Sequence, residues 1–171
     1  MFDVINRACV PDGALHSRAE GDPPYCRSRP RTVSDFRTHL PEGCPPPEAE
    51  PADGGTFYRL VLDVDVTGDK VNAHAFLSLH ELGHGCPADR APCEWAGVSL
   101  CRSFADTDAP RKLSRRKFRD ARVARGTVTK DQGKTKATGT VKNPSHTTYW
   151  PYATAEPWLD FEIIDGKDAD G

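Results

Sequence analysis

The segment His80-Glu81-Leu82-Gly83-His84 sets two imidazoles four residues apart, with a carboxylate next to the first. On a helix, residues at i and i+4 share a face, so both histidines reach one metal ion and Glu81 lies beside it. Two imidazoles and a third group leave one position of a zinc ion open to water. Glu81 then takes a proton from that water as it attacks a carbonyl polarised by the metal. The chemistry expected is zinc-dependent hydrolysis of a peptide or amide. His80 and His84 are the ligands, Glu81 is the catalytic base, and zinc is the cofactor. Asp89, Glu94 and His146 are the candidate third ligands. The plainer reading is a pair of surface histidines at a helix end.

A second metal pattern overlaps the first. His84, Cys86, Cys93 and Cys101 supply one imidazole and three thiolates, a donor set that closes a tetrahedral structural zinc site. Such a site would tie down the Cys/Pro loop GCPADRAPC in a small domain. Its alternative is three partly buried free thiols. The chain has 6 cysteines, and MFDVINRACV lacks the basic and apolar regions of a secretory signal. A reducing, cytoplasmic setting without disulfides is therefore expected. No apolar run approaches the ~18–20 residues needed to cross a bilayer.

Charge offers a third kind of chemistry. The formal net charge is -2, yet twelve Lys or Arg lie between Arg111 and Lys142 against only Asp120 and Asp131. A segment so biased can face a polyanion. Lys134, Lys136 and Lys142 would meet phosphates there, while His146, Trp150 and the neighbouring aromatics stack on bases. The alternatives are a solvated basic face and an aromatic core with a wet edge.

Positioning these residues requires a scaffold. Nine of the 15 prolines fall within residues 1–55, which read as a largely disordered leader. Residues 56–165 form the single domain and 166–171 an acidic tail. FYRLVLDVDV alternates like a half-buried strand and breaks at Thr67-Gly68-Asp69. Val71, Ala75, Leu79 and Leu82 then predict a helix over 70–83, with Asp69 as cap and Gly83 or Gly85 as stop. The alternative is a hairpin through VTGDKV. AGVSLC predicts a strand, Ser114–Arg125 an exposed basic helix closed by Gly126, and GTVTK, KATGTVK and WLDFEII further strands. Strands on both sides of one or two helices predict an α+β fold with a small mixed sheet.

Two resemblances attach to these motifs. HELGH is similar to the zincin metallopeptidase motif, although Pro87 and Arg90 occupy the glycine and third-ligand positions of its extended form. FYRLV, FLSLHELG, CPADRAPCEWAGVSL, SHTTYW and EPWLDFEI together resemble a group of short uncharacterised bacterial and phage proteins. In that group a Tyr-Arg strand, an Glu-Leu-Gly helix end, a Gly-Val-Ser strand and a Thr-x-Trp segment follow in this order. The likeness covers about residues 57–164 and brings no activity with it. The same layout distantly resembles small ADP-ribosyltransferase-type folds. That likeness implies Arg59 on a pyrophosphate, Ser99 on a ribose, and a late glutamate, Glu156 or Glu162, assisting transfer. Arg59 in a strand-edge salt bridge is the alternative. Three function classes follow: a zinc hydrolase, a nucleotide or nucleic-acid binding protein, and an interaction protein with or without structural zinc.

Overall fold

The buried Phe57 and Val61, with half-buried Arg59 between them in the alternation, mark the inner face of strand β1, which runs Glu50–Val61. A computed structural model describes residues 35–164 apart from 38, 115 and 119. Most of the leader, through residue 34, and the acidic tail lie outside the described residues. The folded part starts earlier than position 56. The bridge from Phe36 to Tyr152 and the buried Ala49 already belong to it. Pro51, Gly54 and Gly55, which read as breakers, are absorbed by two register shifts in the pairing of β1 with β5.

The segment after β1 departs from the expected helix over 70–83. Strands β2 (Val66–Thr67) and β3 (Lys70–Val71) pair as a hairpin around Gly68-Asp69, so VTGDKV is a turn. Gly68 takes the positive φ of 62° that such a tight turn needs. The helical spacing of Val71, Ala75 and Phe76 is met by one 3-10 turn, Ala73–Phe76. Asn72 caps it, its side chain accepting from the His74 N–H at 2.9 Å.

Helix α1 (Pro92–Trp95) leads into strand β4 (Val98–Cys101), the strand expected from AGVSLC. Helix α2 is Phe104–Leu113, upstream of the expected Ser114–Arg125. Ser103 caps it by accepting from the Asp106 N–H, and Arg111 and Lys112 occupy its last turn, where cations suit the dipole. Arg122–Ala137 forms one long strand, β5, in place of the end of a helix and two short strands. Gly126 sits mid-strand because a Cβ there would collide with the Asp160 carbonyl and the Phe161 ring. It is a point of close approach and not a helix stop. β6 (His146–Pro151), a 3-10 turn (Pro157–Asp160) and β7 (Phe161–Ile164) complete the chain.

The seven strands make one sheet in the order β1-β4-β6-β5-β7-β3-β2, and β1 also pairs with β5. The strands β1, β4, β6 and β5 therefore pair in a closed ring, from which β7, β3 and β2 extend. These pairings are antiparallel, and with the two helices the sheet makes the small α+β fold that the sequence predicts. Phe57, Val61, Phe76, Val98, Leu100, Val128 and Tyr149 form the core. Among the described residues no helix is long and apolar enough to cross a membrane.

Cys44 and Cys93 are joined as a disulfide, contrary to the expectation of free thiols. Cys93 is therefore withdrawn from the donor set His84, Cys86, Cys93 and Cys101. Of the remaining thiols Cys86 is exposed and Cys101 buried. Among the described residues no group of three His, Cys, Asp or Glu side chains gathers as a metal cage.

Candidate functional site

HELGH occupies one helical turn capped at both ends, too short to present an i, i+4 pair. Ser78 Oγ accepts from the Glu81 N–H at 3.1 Å, and Glu81 Oε2 accepts from the Ser78 N–H at 2.8 Å. That reciprocal pair is a capping box. At the other end His84 N–H donates to the Leu79 carbonyl and Gly83 N–H to the His80 carbonyl, with Gly83 at φ 79°. This is a Schellman stop, and it places His84 beyond the helical residues. The Glu81 carboxylate is held further by Arg37 Nη1 at 3.1 Å and His39 Nδ1 at 3.3 Å. Glu81 thus fastens Arg37 and His39 to the turn, while His80 stacks on His39 and His84 is exposed. The Ser-x-x-Glu capping signature was present in the sequence, hidden beneath the metal motif.

The chemistry that the structure does gather lies on β1, β4 and β6. The β4–β6 register sets Ser99 opposite Thr148 and Cys101 opposite His146, so these four side chains share one face. His146 Nε2 is 3.1 Å from Ser99 Oγ, and its Nδ1 is 2.8 Å from Thr138 Oγ1. Thr138 Oγ1 in turn lies 2.8 Å from Thr148 Oγ1. An imidazole with its proton on Nδ1 satisfies this chain, leaving the Nε2 lone pair to accept the Ser99 hydroxyl. Burial pushes the His146 pKa below its ordinary 6.5, and Arg90 adds to that, while the Thr138 backbone and Glu94 oppose it. The ring is therefore neutral at pH 7.

Arg59 enters the same place by a different route. β1 and β4 pair only at Tyr58 and Cys101, and the strands then part. The Ser99 carbonyl, left without a β1 partner, accepts from Arg59 Nη1 at 2.6 Å. The guanidinium stands 5.5 Å from the centre of the Phe76 ring, and its Nε is buried with no hydrogen-bond partner among the described residues. Desolvation lowers the Arg59 pKa to about 10, with Asp65 and Cys101 opposing the drop, so the side chain is still a cation at neutral pH. The expected strand-edge salt bridge is replaced by this cation–carbonyl contact.

Two cavities meet at this point. One, of about 210 Å³, has polar walls that include Arg90, Glu94, Thr138 and Thr140. The other, of about 360 Å³, is lined by Tyr58, Arg59, Leu60, Leu77, Leu82 and Phe118 among others. Ser99, His146, Asn143, Gly97 and Leu79 border both. Gly97 lies in close approach to β6, where a Cβ would collide with the Thr148 methyl and the Trp150 ring. The result is one cleft with a polar arm, an apolar arm and a hydroxyl–imidazole pair between them.

Several expected site residues lie elsewhere. Trp150 is fully buried, and its Nε1 donates to the Cys93 carbonyl at 3.0 Å, so it presents no face for a base. Tyr149 is equally buried. The basic segment is spread over α2 and β5 and is partly neutralised. Lys112 pairs with Asp108, Arg125 with Glu162 and Lys136 with Glu48, while Lys134 sits in β5 opposite Trp150 and Lys142 is exposed in a turn. Neither late glutamate reaches the cleft. Glu162 pairs with Arg125 across β5 and β7 and belongs to the row of Tyr58, not of Arg59. Glu156 is exposed ahead of the last 3-10 turn. Of the candidate third metal ligands, Asp89 is exposed and Glu94 and His146 line the polar arm. Asn143 and Thr138 are additions that no sequence signal marked. Comparison with protein-family models, with curated proteins and with solved structures produced no match.

Proposed function

We propose that the protein binds a nucleotide in the cleft between β1 and β4. The observation that carries this reading is the convergence of Arg59, Ser99 and His146, from three strands, on a cavity with one polar and one apolar arm. A nucleotide carries both characters: an anionic phosphate group for Arg90 in the polar arm and Arg59 in the other, and a flat ring for Tyr58, Leu60 and Phe118 of the apolar arm. Arg59 and Ser99 are also the residues that the likeness to ADP-ribosyltransferase-type folds implies for pyrophosphate and ribose. With Glu162 engaged by Arg125 and Glu156 exposed, the same reading assigns no late glutamate and proposes binding without ADP-ribosyl transfer.

The zinc reading has less support, since Glu81 is taken up as a cap and Cys93 as a disulfide partner. Titration calorimetry with ADP, adenosine and inorganic phosphate tests the nucleotide reading. ADP is expected to bind more tightly than adenosine or phosphate alone. Arg59→Lys should weaken ADP by at least tenfold while leaving adenosine nearly unchanged, because lysine loses the planar fork. Equal affinity for ADP and adenosine, or no saturation by ADP at millimolar concentration, would overturn it.

A further inference from the structure

We propose that Ser99 is a nucleophile with His146 as its general base, forming an acyl-enzyme with a carboxylic ester held in the cleft. This goes beyond nucleotide binding and requires only that the cleft admit a ligand. Three features of the geometry point to it. Ser99 is the exposed residue of an otherwise buried strand, and it borders both cavities. Its hydroxyl faces the His146 Nε2 at hydrogen-bond distance. The far side of the ring is fixed by Thr138, itself fixed by Thr148, and this is the role of the third member in nucleophile–base–orienter sets.

The step balances without a further reactant. As Ser99 Oγ attacks the ester carbonyl carbon, its proton passes to His146 Nε2 and the carbonyl π pair moves onto oxygen. Collapse of that intermediate breaks the ester C–O bond, and the departing alkoxide takes the proton back from His146. Water then attacks the acyl-Ser99 carbonyl, gives its proton to His146, and releases the carboxylic acid as Ser99 Oγ recovers it. Asn143 borders both cavities, and its amide is held among the described residues by long contacts of Nδ2 and Oδ1 with the Cys101 sulfur at 3.6 and 3.7 Å, weak enough for Nδ2 to turn and donate to the developing oxyanion.

The charged and titratable groups around His146 are Arg59 and Tyr58 from β1, Cys101 from β4, Arg90 and Glu94 from the α1 segment, and Asp106 from α2. Neutral imidazole dominates above the lowered pKa, so base catalysis should be at full strength at pH 7 and fade on acidification.

The test is covalent labelling of the full chain with an alkyl fluorophosphonate, in which Ser99 Oγ displaces fluoride from phosphorus and His146 accepts the proton. Intact mass and peptide mapping should find one adduct, on Ser99. Ser99→Ala should abolish it, and His146→Gln should slow it about 100-fold. The rate in the unaltered protein should be level from pH 8 to 7 and decline with a midpoint below 6.5. Absence of a Ser99 adduct overturns the proposal. So does labelling that is unchanged in His146→Gln or flat down to pH 5, and the pH series decides the matter even if that variant does not fold. Labelling that persists in a protein with no affinity for ADP would remove the nucleotide reading and keep this one.

Discussion

The turn at 78–84 and the cleft at Arg59, Ser99 and His146 both place a histidine near a group that can move a proton, and the fold uses them in opposite ways. In the turn the chemistry-bearing residues are contiguous in the chain, and their polar atoms are consumed locally. Glu81 closes a capping box and receives Arg37 and His39. In the cleft the residues are 40 and 47 positions apart in sequence, and the strand register brings them together. There Ser99 remains exposed at the border of both cavities, and Arg59 Nε has no hydrogen-bond partner among the described residues. A carboxylate saturated by hydrogen bonds to a cation and to backbone stabilises the fold and is poorly placed as a base. A hydroxyl paired with a neutral, half-buried imidazole retains its reactivity.

The contrast can be broken most forcefully at the disulfide. Cys44 and Cys93 close a loop of 49 residues in sequence separation, for which chain entropy gives about 4 kcal/mol. Cys93 also lies on α1, whose Glu94 and Trp95 form a wall of the polar arm. Cys44→Ser with Cys93→Ser should lower the unfolding free energy by that amount, seen as a fall in the chemical denaturation midpoint, and weaken ligand binding in the cleft. An unchanged midpoint would show that the bond does not brace the wall.

Glu81→Gln separates the two readings of HELGH directly. As a cap, the carboxylate loses its charge opposite Arg37, and stability should fall by roughly 1–3 kcal/mol. Fluorophosphonate labelling of Ser99 should persist in that variant. A variant of undiminished stability that lost a metal-dependent hydrolase activity would restore Glu81 to catalysis.

Acid titration sharpens the other side. The folded pKa of His146 lies below the ordinary 6.5, so the unfolded chain takes up the proton more readily. Stability from this group is level above pH 6.5 and declines as pH falls from there to the folded value. His146→Gln should flatten that part of the stability–pH curve, as measured by thermal unfolding across pH 4 to 8.

The smallest effect belongs to His80→Ala with His84→Ala. Both side chains are exposed, and the pair should shift stability by no more than about 0.5 kcal/mol. A larger loss, or stabilisation of the unaltered protein by added zinc that the double variant lacks, would favour a metal at the turn.

Local chemistry was readable wherever it acted over a few residues. The alternation in AGVSLC produced β4 at nearly the expected place, whereas that in FYRLVLDVDV coincides with β1 only over Phe57–Val61 and gives way to a 3-10 turn at Asp63–Asp65. The hairpin through VTGDKV was legible as an alternative, and the Gly68 turn explains why it prevails over the helical spacing of Val71 and Ala75. Ser78 and Glu81 were legible too, but the metal motif claimed the same glutamate. Gly126 misled, because a glycine needed for close approach to Phe161 looks the same in sequence as a glycine that ends a helix. The burial of Trp150 beneath α1 likewise depends on a neighbour 57 residues away.

By itself, then, the sequence determined the α+β class, the main strands and the capped turn, since each follows from propensities and hydrogen bonds within a few residues. The tertiary structure alone decided that Arg59, Ser99, Thr138 and His146 form a site. Their proximity arises from the β4–β6 register and from the parting of β1 from β4 beyond Tyr58, and long-range strand pairing leaves no periodic mark on the chain.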